Sequence, residues 1–230
     1  MKPAPFEYFA PTSVEETCAL LARYGDDAKI LAGGQSLVPL LALRLAQPEV
    51  LIDINPVREL DYIQANSDGL SIGAGTRHRT VERSPAVREQ FPLLSAGIEW
   101  IGHPQIRNRG TVGGSLAHAD PAAELPALAL ALDATFTVID ANGSERTLTS
   151  DEFFVSFLTT ALGSGELLRE SSFPALPAGS GWSFREVALR HGDFALVGVA
   201  AIVTLDNTQA CSDVRIALFG VGETAVRSRS

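Results

Sequence analysis

The chain has 230 residues, 46% hydrophobic and 20% charged, with 20 glycines, 13 prolines and a formal net charge of −9. That length can bury a substantial core, as one large domain or two small ones, and the composition is globular rather than disordered. The negative balance leaves no basic excess to neutralise phosphates, which argues against nucleic acid as a partner.

Phe6 to Pro11 reads as a short extended segment, followed by Ser13-x-x-Glu16, a capping box opening a helix over Val14 to Tyr24. Val14, Cys18 and Leu21 fall on one face of it, making Cys18 a buried thiol, and Gly25 is placed to end it. Ala28 to Ala32 is a buried strand with Gly33-Gly34 as its exit, Leu37 to Leu45 an apolar helix that tolerates Pro39 in its first turn, and Val50 to Ile54 a further strand. Together these form an α/β unit with a glycine loop at a strand's carboxyl end. Tyr62 to Asn66 and Leu70 to Gly73 pair through Ser67-Asp68-Gly69, and His78 to Gly102 is helical, broken by Pro85 and Pro92. Ala122 to Leu132 is a helix of small residues, Thr135 to Asp140 and Arg146 to Leu148 form a hairpin about Asn142-Gly143, and Asp151 to Phe157 is a short helix rich in Phe. After the loop Leu162 to Glu166 come a strand at Leu167 to Phe173, a linker at Pro174 to Gly181, and strands at Trp182 to Leu189, Leu196 to Leu205 and Val214 to Gly220. Three strands without covering helices leave a face bare, so the last part reads as an incomplete domain and the chain as cut short.

The stretch that organises the chain runs from His103 to Pro126 and centres on Thr111-Val112-Gly113-Gly114-Ser115. A paired glycine flanked by hydroxyl residues can curl so that several backbone N–H groups face one concavity, which suits a phosphate. Ala32-Gly33-Gly34-Gln35-Ser36 has the same make, and two such nests suggest one diphosphate. Either pair alone also reads as a strand-to-helix turn needing positive φ. Neither the G-x-G-x-x-G nor the G-x-x-x-x-G-K-[ST] signature is present; Gly73-Ala-Gly75 lacks the third glycine. The two cysteines, Cys18 and Cys211, and the four histidines, His78, His103, His118 and His191, show no metal-ligand spacing, so no protein-bound metal is expected. The amino terminus has no apolar signal region and no apolar run reaches the ~20 residues of a membrane span, which predicts a cytoplasmic protein.

The residues Ala32-Gly33-Gly34-Gln35-Ser36-Leu37, Gln105-Ile-Arg-Asn-Arg-Gly-Thr-Val-Gly-Gly-Ser115 and Ala119-Asp-Pro121 carry a resemblance. Over essentially its whole length the chain resembles the FAD-binding medium subunit of the molybdenum hydroxylases, the carbon monoxide dehydrogenase and xanthine dehydrogenase family. The resemblance implies an α+β fold built of α/β subdomains, of the vanillyl-alcohol-oxidase or PCMH FAD-binding type, with a small C-terminal α+β domain that is cut short. The division it implies is 1–56 and 57–174 for the two FAD-binding subdomains and 181–230 for the partial C-terminal domain. By position, the cofactor-binding residues it implies are Ala32, Gly33, Gly34, Gln35, Ser36 and Leu37 in one loop and Thr111, Val112, Gly113, Gly114 and Ser115 in the other. His118 and Asp120 are expected near the cofactor, Glu124 on the adenosine ribose, and Leu168 against the adenine. Ile101 and Gly102 are expected to line the isoalloxazine, Arg185 to lie near the flavin pyrimidine, and Phe194 over the ring. Arg185 also reads as a surface ion-pairing residue, Phe194 as core, His118 as a helix cap and Glu124 as an early-helix acid favoured by the macrodipole. The Arg107-Asn108-Arg109 cluster reads as a solvated turn or as a contact with an iron–sulfur subunit or the cofactor's surroundings.

The function the resemblance implies is that of an electron-transfer subunit. Electrons come from [2Fe–2S] clusters in a small partner subunit, served by a molybdopterin-binding large subunit, and pass through FAD to an external acceptor, in a dimer of heterotrimers. No catalytic side chain is needed, since the flavin itself accepts and releases electrons. The alternatives are a stand-alone flavin oxidoreductase of the same fold and a non-catalytic assembly module.

Overall fold

The computed structural model describes residues 2–228. Its first part is a parallel sheet in the order β1-β3-β2, formed by β1 (Glu7–Phe9), β2 (Ala28–Leu31) and β3 (Val50–Asp53). α1 (Val14–Tyr24) has the predicted bounds and buries Val14, Cys18 and Leu21. Ser13 Oγ accepts the Glu16 N–H at 3.1 Å, but the reciprocal arm of the predicted box is displaced. The Glu16 carboxylate chiefly takes the Thr12 N–H at 2.7 Å and the Thr12 hydroxyl at 3.2 Å, two donors on one oxygen where Ser13 offers one. α2 (Leu37–Ala42) is shorter than its apolar run, because Arg44 turns to φ 58° and the Leu45 N–H loops back to the Leu40 carbonyl at 2.9 Å.

The second part is an antiparallel sheet in the order β4-β5-β10-β6-β7, made of β4 (Ile63–Ala65), β5 (Gly69–Gly73), β6 (Thr135–Ile139), β7 (Glu145–Thr149) and β10 (Leu167–Pro174). Between β5 and β6 run α3 (His78–Arg83), α4 (Pro85–Gln90), α5 (Pro92–Ile98), α6 (Pro104–Arg109), α7 (Val112–His118) and α8 (Glu124–Ala131). Pro85, Pro92 and Pro104 each open a helix, where the missing N–H costs nothing. α8 is apolar all round and buried all round, enclosed by α5, α7 and the last sheet. The expected helix at Asp151 to Phe157 is only α9 (Ser150–Phe153), opened by a full capping box of Thr149 and Glu152, before the chain extends into β8 (Phe154–Ser156) and β9 (Thr159–Thr160). Phe153 and Phe154 lie edge to face at 5.2 Å with Phe136 between the sheets, and that packing overrides helical continuation.

The third part is an antiparallel meander of β11 (Ser180–Ala188), β12 (Ala195–Leu205), β13 (Cys211–Phe219) and β14 (Val226–Arg227). The expected linker shrinks to residues 175–179, because both flanking strands extend into it. Phe184, Ala200, Ile202, Ala217 and Phe219 face inward against α8 and α5, joining one continuous core with the second part. The opposite face carries Val187, Val197, Val203 and Val214, all exposed. A separate core of Val14, Cys18, Leu21, Ile52 and Leu60 serves the first part.

Phe219 stacks on Phe184 at 5.7 Å and is fully buried. Phe219→Ala is expected to cost about 3–5 kcal/mol, read as a lower urea midpoint, because it removes the ring that stacks on Phe184 and covers Gly198, leaving a cavity against α8.

Candidate functional site

In the parallel sheet, β2 and β3 end at the same edge, so the chain leaving β2 and the chain leaving β3 emerge side by side. Ala32 to Ser36 leaves β2 there, with Gly34 at φ 73°, a conformation that a branched residue resists. Gly33 rests on the end of α6: a Cβ built on it would lie 2.4 Å from the Arg109 carbonyl oxygen. Among the described residues the N–H groups of Gly33, Gly34, Gln35 and Ser36 meet no protein acceptor, so they are available to an anion in the cavity the loop lines.

The second loop is built differently from the expected nest. Val112 N–H goes to the Thr76 carbonyl, Gly113 N–H to Ala74, and Ser115 N–H to Thr111, each at 2.9–3.1 Å. Gly114 N–H goes to Thr111 Oγ1, the N-cap of α7, at 3.1 Å. The chain pairs edge-on with residues 74–78 as α7 begins, which takes the Val112 and Gly113 donors, and the cap on Thr111 takes those of Gly114 and Ser115. What it offers the cavity is a close, side-chain-free backbone at Gly113 and Gly114 and the Ser115 hydroxyl. Its glycine at 114 also faces the first loop, since a Cβ there would lie 3.5 Å from Ala32 Cβ.

A cavity of about 580 Å³ opens between the loops. Ala32, Gly33, Gly34, Gln35, Ser36 and Leu37 line it from one side, and Thr111, Gly113, Gly114, Ser115, His118 and Leu168 from the other; Val112 points into the core. Its far wall, Leu158 to Thr160 and Leu162 to Leu167, was missed in the sequence, although the glycines of Leu162 to Glu166 before a strand were a usable signal. Behind the second loop, His78 is buried with its Nε2 at 2.9 Å from the Thr111 carbonyl and 3.1 Å from Ser115 Oγ. A carbonyl only accepts, so Nε2 carries the proton. Burial drives the imidazole's pKa down to about 4 against the support of the Thr111 carbonyl, with Arg107 and Arg77 adding repulsion.

The remaining expected site residues lie outside this cavity. Ile101 is nearly buried and Gly102, at φ 52°, turns the chain toward α6. That turn is gripped by Arg107, which corrects its reading as a solvated or partner-facing residue. Its guanidinium is buried, donating to the Glu99, Ile101 and Gly102 carbonyls at 2.9–3.2 Å and pairing with Glu82 at 2.9 Å. Glu82, also paired with Arg79, sits below its ordinary pKa because these two cations outweigh its burial. Asp120 accepts the Ala122 N–H at 2.9 Å and shapes the turn before α8. Glu124, the first residue of α8, is buried, and its pKa is pushed up to about 8 by burial and by the nearby charges of Glu186 and Asp120. Glu186 comes from the inner face of β11, and both its oxygens are enclosed without a partner, which raises its pKa to about 7. Arg185, its neighbour, points to the outer face, where its Nη1 meets only the Phe184 carbonyl at 2.9 Å, and Phe194 is 69% exposed before β12. The structure therefore groups the two loops, His118 and Leu168 in one cavity, sets Glu124 against Glu186, and leaves Arg185 and Phe194 on the surface. Among the described residues no group of three or more His, Cys, Asp or Glu side chains could hold a metal, and no helix is long and apolar enough to cross a membrane.

Residues 4–176 match the model of the FAD binding domain in molybdopterin dehydrogenase, and residues 182–230 that of the CO dehydrogenase flavoprotein C-terminal domain. The chain is 51% identical over 227 residues to the 6-hydroxypseudooxynicotine dehydrogenase complex subunit alpha of Paenarthrobacter nicotinovorans, covering 99% of this chain and 76% of that one. It is 43% identical over 227 residues to the carbon monoxide dehydrogenase medium chain of Hydrogenophaga pseudoflava, covering 99% and 78%. Among solved structures it is similar to carbon monoxide dehydrogenase from Hydrogenophaga pseudoflava, with a TM-score of 0.94 at 44% identity over 99% of this chain and 78% of that one. It is also similar to quinoline 2-oxidoreductase from Pseudomonas putida 86, with a TM-score of 0.92 at 41% identity over 99% and 78%.

Two titrations are expected to move stability in opposite directions. His78 has a folded pKa below its free value, so its contribution is complete above about pH 6.5 and lost as pH falls toward 4. That loss is on the order of 2–3 kcal/mol, and His78→Gln should flatten the fall in urea midpoint between pH 7 and pH 5. Glu186 has a folded pKa above its free value, so its contribution is complete below about pH 4.5 and lost as pH rises through about 7. Glu186→Gln should therefore melt higher than the parent chain at pH 8, with a smaller difference at pH 5.

Proposed function

Since the chain belongs to the FAD-binding medium subunits of the molybdenum hydroxylase family, we propose that its two glycine loops hold the diphosphate of FAD and that it is the subunit through which electrons leave a larger enzyme. The observation that carries this reading is the pair of abutting loops on one cavity, one with four backbone N–H groups lacking acceptors and the other with a bare glycine backbone and the Ser115 hydroxyl. Such a surface matches an anion that needs donors on one side and close approach on the other.

On this reading Gly33 to Ser36 donate backbone hydrogen bonds to phosphate oxygens, and Thr111 and Ser115 bound the opposite side. His78, as an Nε2 donor shared with Ser115 Oγ, leaves the serine's own proton free to point into the cavity. Leu168 and the apolar residues of the far wall exclude water from the adenine end, and His118 and Asp120 border the route onward. Arg107 holds the Ile101-Gly102 turn rigid, which fits a wall for the ring. Glu124 is a carboxyl that can donate or accept a hydrogen bond near neutral pH. FAD, when bound, supplies one- and two-electron chemistry that side chains cannot. The electrons are proposed to come from [2Fe–2S] clusters in a small subunit beside a molybdopterin-binding large subunit, and to go to an external acceptor. Relatives named as a complex subunit and a medium chain support such partners. A stand-alone flavin oxidoreductase of the same fold is the second reading; it would need acid–base groups at the cavity, whereas Glu124 and Glu186 are enclosed outside it.

The chain mixed with FAD and desalted is expected to keep one flavin per chain, identified as FAD after extraction. Gly34→Val should lose at least 90% of it while retaining its circular dichroism, because valine resists φ 73° and its Cβ would press on Val38 and Leu31 at 3.0–3.3 Å, forcing the loop out of shape. A parent chain that retains no flavin would overturn the reading. Turnover of a small molecule by the flavin-loaded chain alone would favour the stand-alone enzyme.

A further inference from the structure

The first glycine loop also borders a second cleft, of about 390 Å³, lined in part by Asp53, Asn55 and Arg109. These three belong to a chain of hydrogen bonds that crosses from the first part of the molecule to the second. Tyr8 Oη donates to Asp53 Oδ2 at 2.5 Å. Asp53 Oδ1 accepts both the Asn55 N–H at 2.9 Å and the Asn55 Nδ2 at 2.5 Å. Asn55 Nδ2 also donates to the Ala32 carbonyl at 2.8 Å, while Asn55 Oδ1 accepts Arg77 Nη2 at 2.5 Å. Arg77 Nη1 donates to the Arg109 carbonyl.

Ala32 opens the first glycine loop, and Arg109 stands two residues before Thr111 of the second. Arg109 is also where Gly33 rests, so the chain of bonds closes around that backbone contact. The amide orientation of Asn55 is forced. Arg77 can only donate and the Ala32 carbonyl can only accept, so one amide must present its oxygen to the first and its nitrogen to the second. Asp53 holds the amide in that orientation from behind, and Tyr8 in turn holds Asp53. β3 delivers Asn55 to this place because its carboxyl end lies beside that of β2.

We propose that Asn55 and Arg77 are positioning residues which set the separation of the two glycine loops, and thereby the affinity for the diphosphate of FAD, without touching the ligand. This rests on the reading that those loops hold the diphosphate. Gly33 packs on the Arg109 and Gly110 backbone, a contact that limits how closely the loops approach but does not stop them parting. The clamp supplies the restraint in the opening direction.

The test measures FAD dissociation by flavin fluorescence, with ADP and adenosine as competing probes, alongside the thermal midpoint of the flavin-free chain. In Asn55→Ala the FAD dissociation constant is expected to rise at least tenfold. ADP should weaken by a similar factor, and adenosine, which has no phosphate, by less than threefold. Asn55→Asp keeps a partner for Arg77 but sets an oxygen against the Ala32 carbonyl, and should weaken FAD nearly as much. Arg77→Lys, a point charge that cannot span both acceptors, should do the same. The Asn55→Ala, Arg77→Ala pair should weaken FAD by much less than the product of the single effects, because either loss opens the same clamp. Folded variants of Asn55 and Arg77 that bind FAD and ADP like the parent would overturn the proposal. So would equal losses for ADP and adenosine that track the thermal midpoint, since that is a general loosening. Failure of the parent chain to bind FAD would sink the underlying reading and the clamp together, whereas a binding parent with indifferent variants sinks the clamp alone.

Discussion

The contact on which the site depends is between two stretches of backbone. Gly33, at the exit of β2, lies against the carbonyl of Arg109 at the end of α6, so close that a Cβ would stand 2.4 Å from the oxygen. No side chain can be interposed there, so peptide geometry sets the closest approach of the two glycine loops, and the Asn55–Arg77 hydrogen bonds lie across the same junction. The cavity exists because two separately built units, a parallel sheet with its own core and an antiparallel sheet with a layer of helices, meet at this point. Their meeting brings a loop with four unpaired backbone N–H groups from one and a hydroxyl-bearing turn, with most of its donors taken, from the other to a single ligand-sized space.

Buried polar groups surround this junction, and they divide into those that are satisfied and those that are not. Arg107 spends its donors on Glu82 and on three carbonyls of the turn it holds, so its charge is neutralised and the turn is fixed. His78 satisfies one nitrogen and leaves Nδ1 without a partner, which is tolerable only because the ring is neutral. Glu186 leaves both oxygens unpaired beside Glu124, and the two carboxyls share the cost by holding protons to higher pH. The satisfied group serves the architecture. The unsatisfied ones rely on protonation state instead, a neutral ring at His78 behind the second loop and raised carboxyl pKa values at the seam between α8 and the last sheet.

That seam also explains why the C-terminal meander is attached as firmly as it is. α8 has no polar face, and a helix apolar all round is stable only when covered on every side. The inner face of β11, β12 and β13 supplies the missing cover, with Phe184 and Phe219 stacked over it. The second part therefore needs the third for its core as much as the third needs it for support, although the two carry separate sheets.

What the amino-acid order settled alone is local. The bounds of α1, the helix breaks at Pro85 and Pro92, the hairpin about Asn142-Gly143 and the first glycine loop with Gly34 at positive φ follow from periodicity, proline's missing donor and glycine's missing Cβ, all of which act within a few residues. The pair of glycine motifs at their spacing was enough to place the chain in its family. What the sequence could not decide depends on partners far away along the chain. The donors of Val112 and Gly113 are taken by Thr76 and Ala74, so a motif that looks like a second nest is not one. Arg107 looks solvated beside Asn108 and Arg109 until three carbonyls and a carboxylate close round it. Asp151 to Phe157 looks helical until Phe136 competes for its aromatic rings. The far wall of the cavity and the Asn55–Arg77 link leave no local trace at all. Apart from the Arg107 carbonyl bonds, which span 5 to 8 residues, these contacts join residues 17 to 39 positions apart, and only the folded chain brings them within reach of one another.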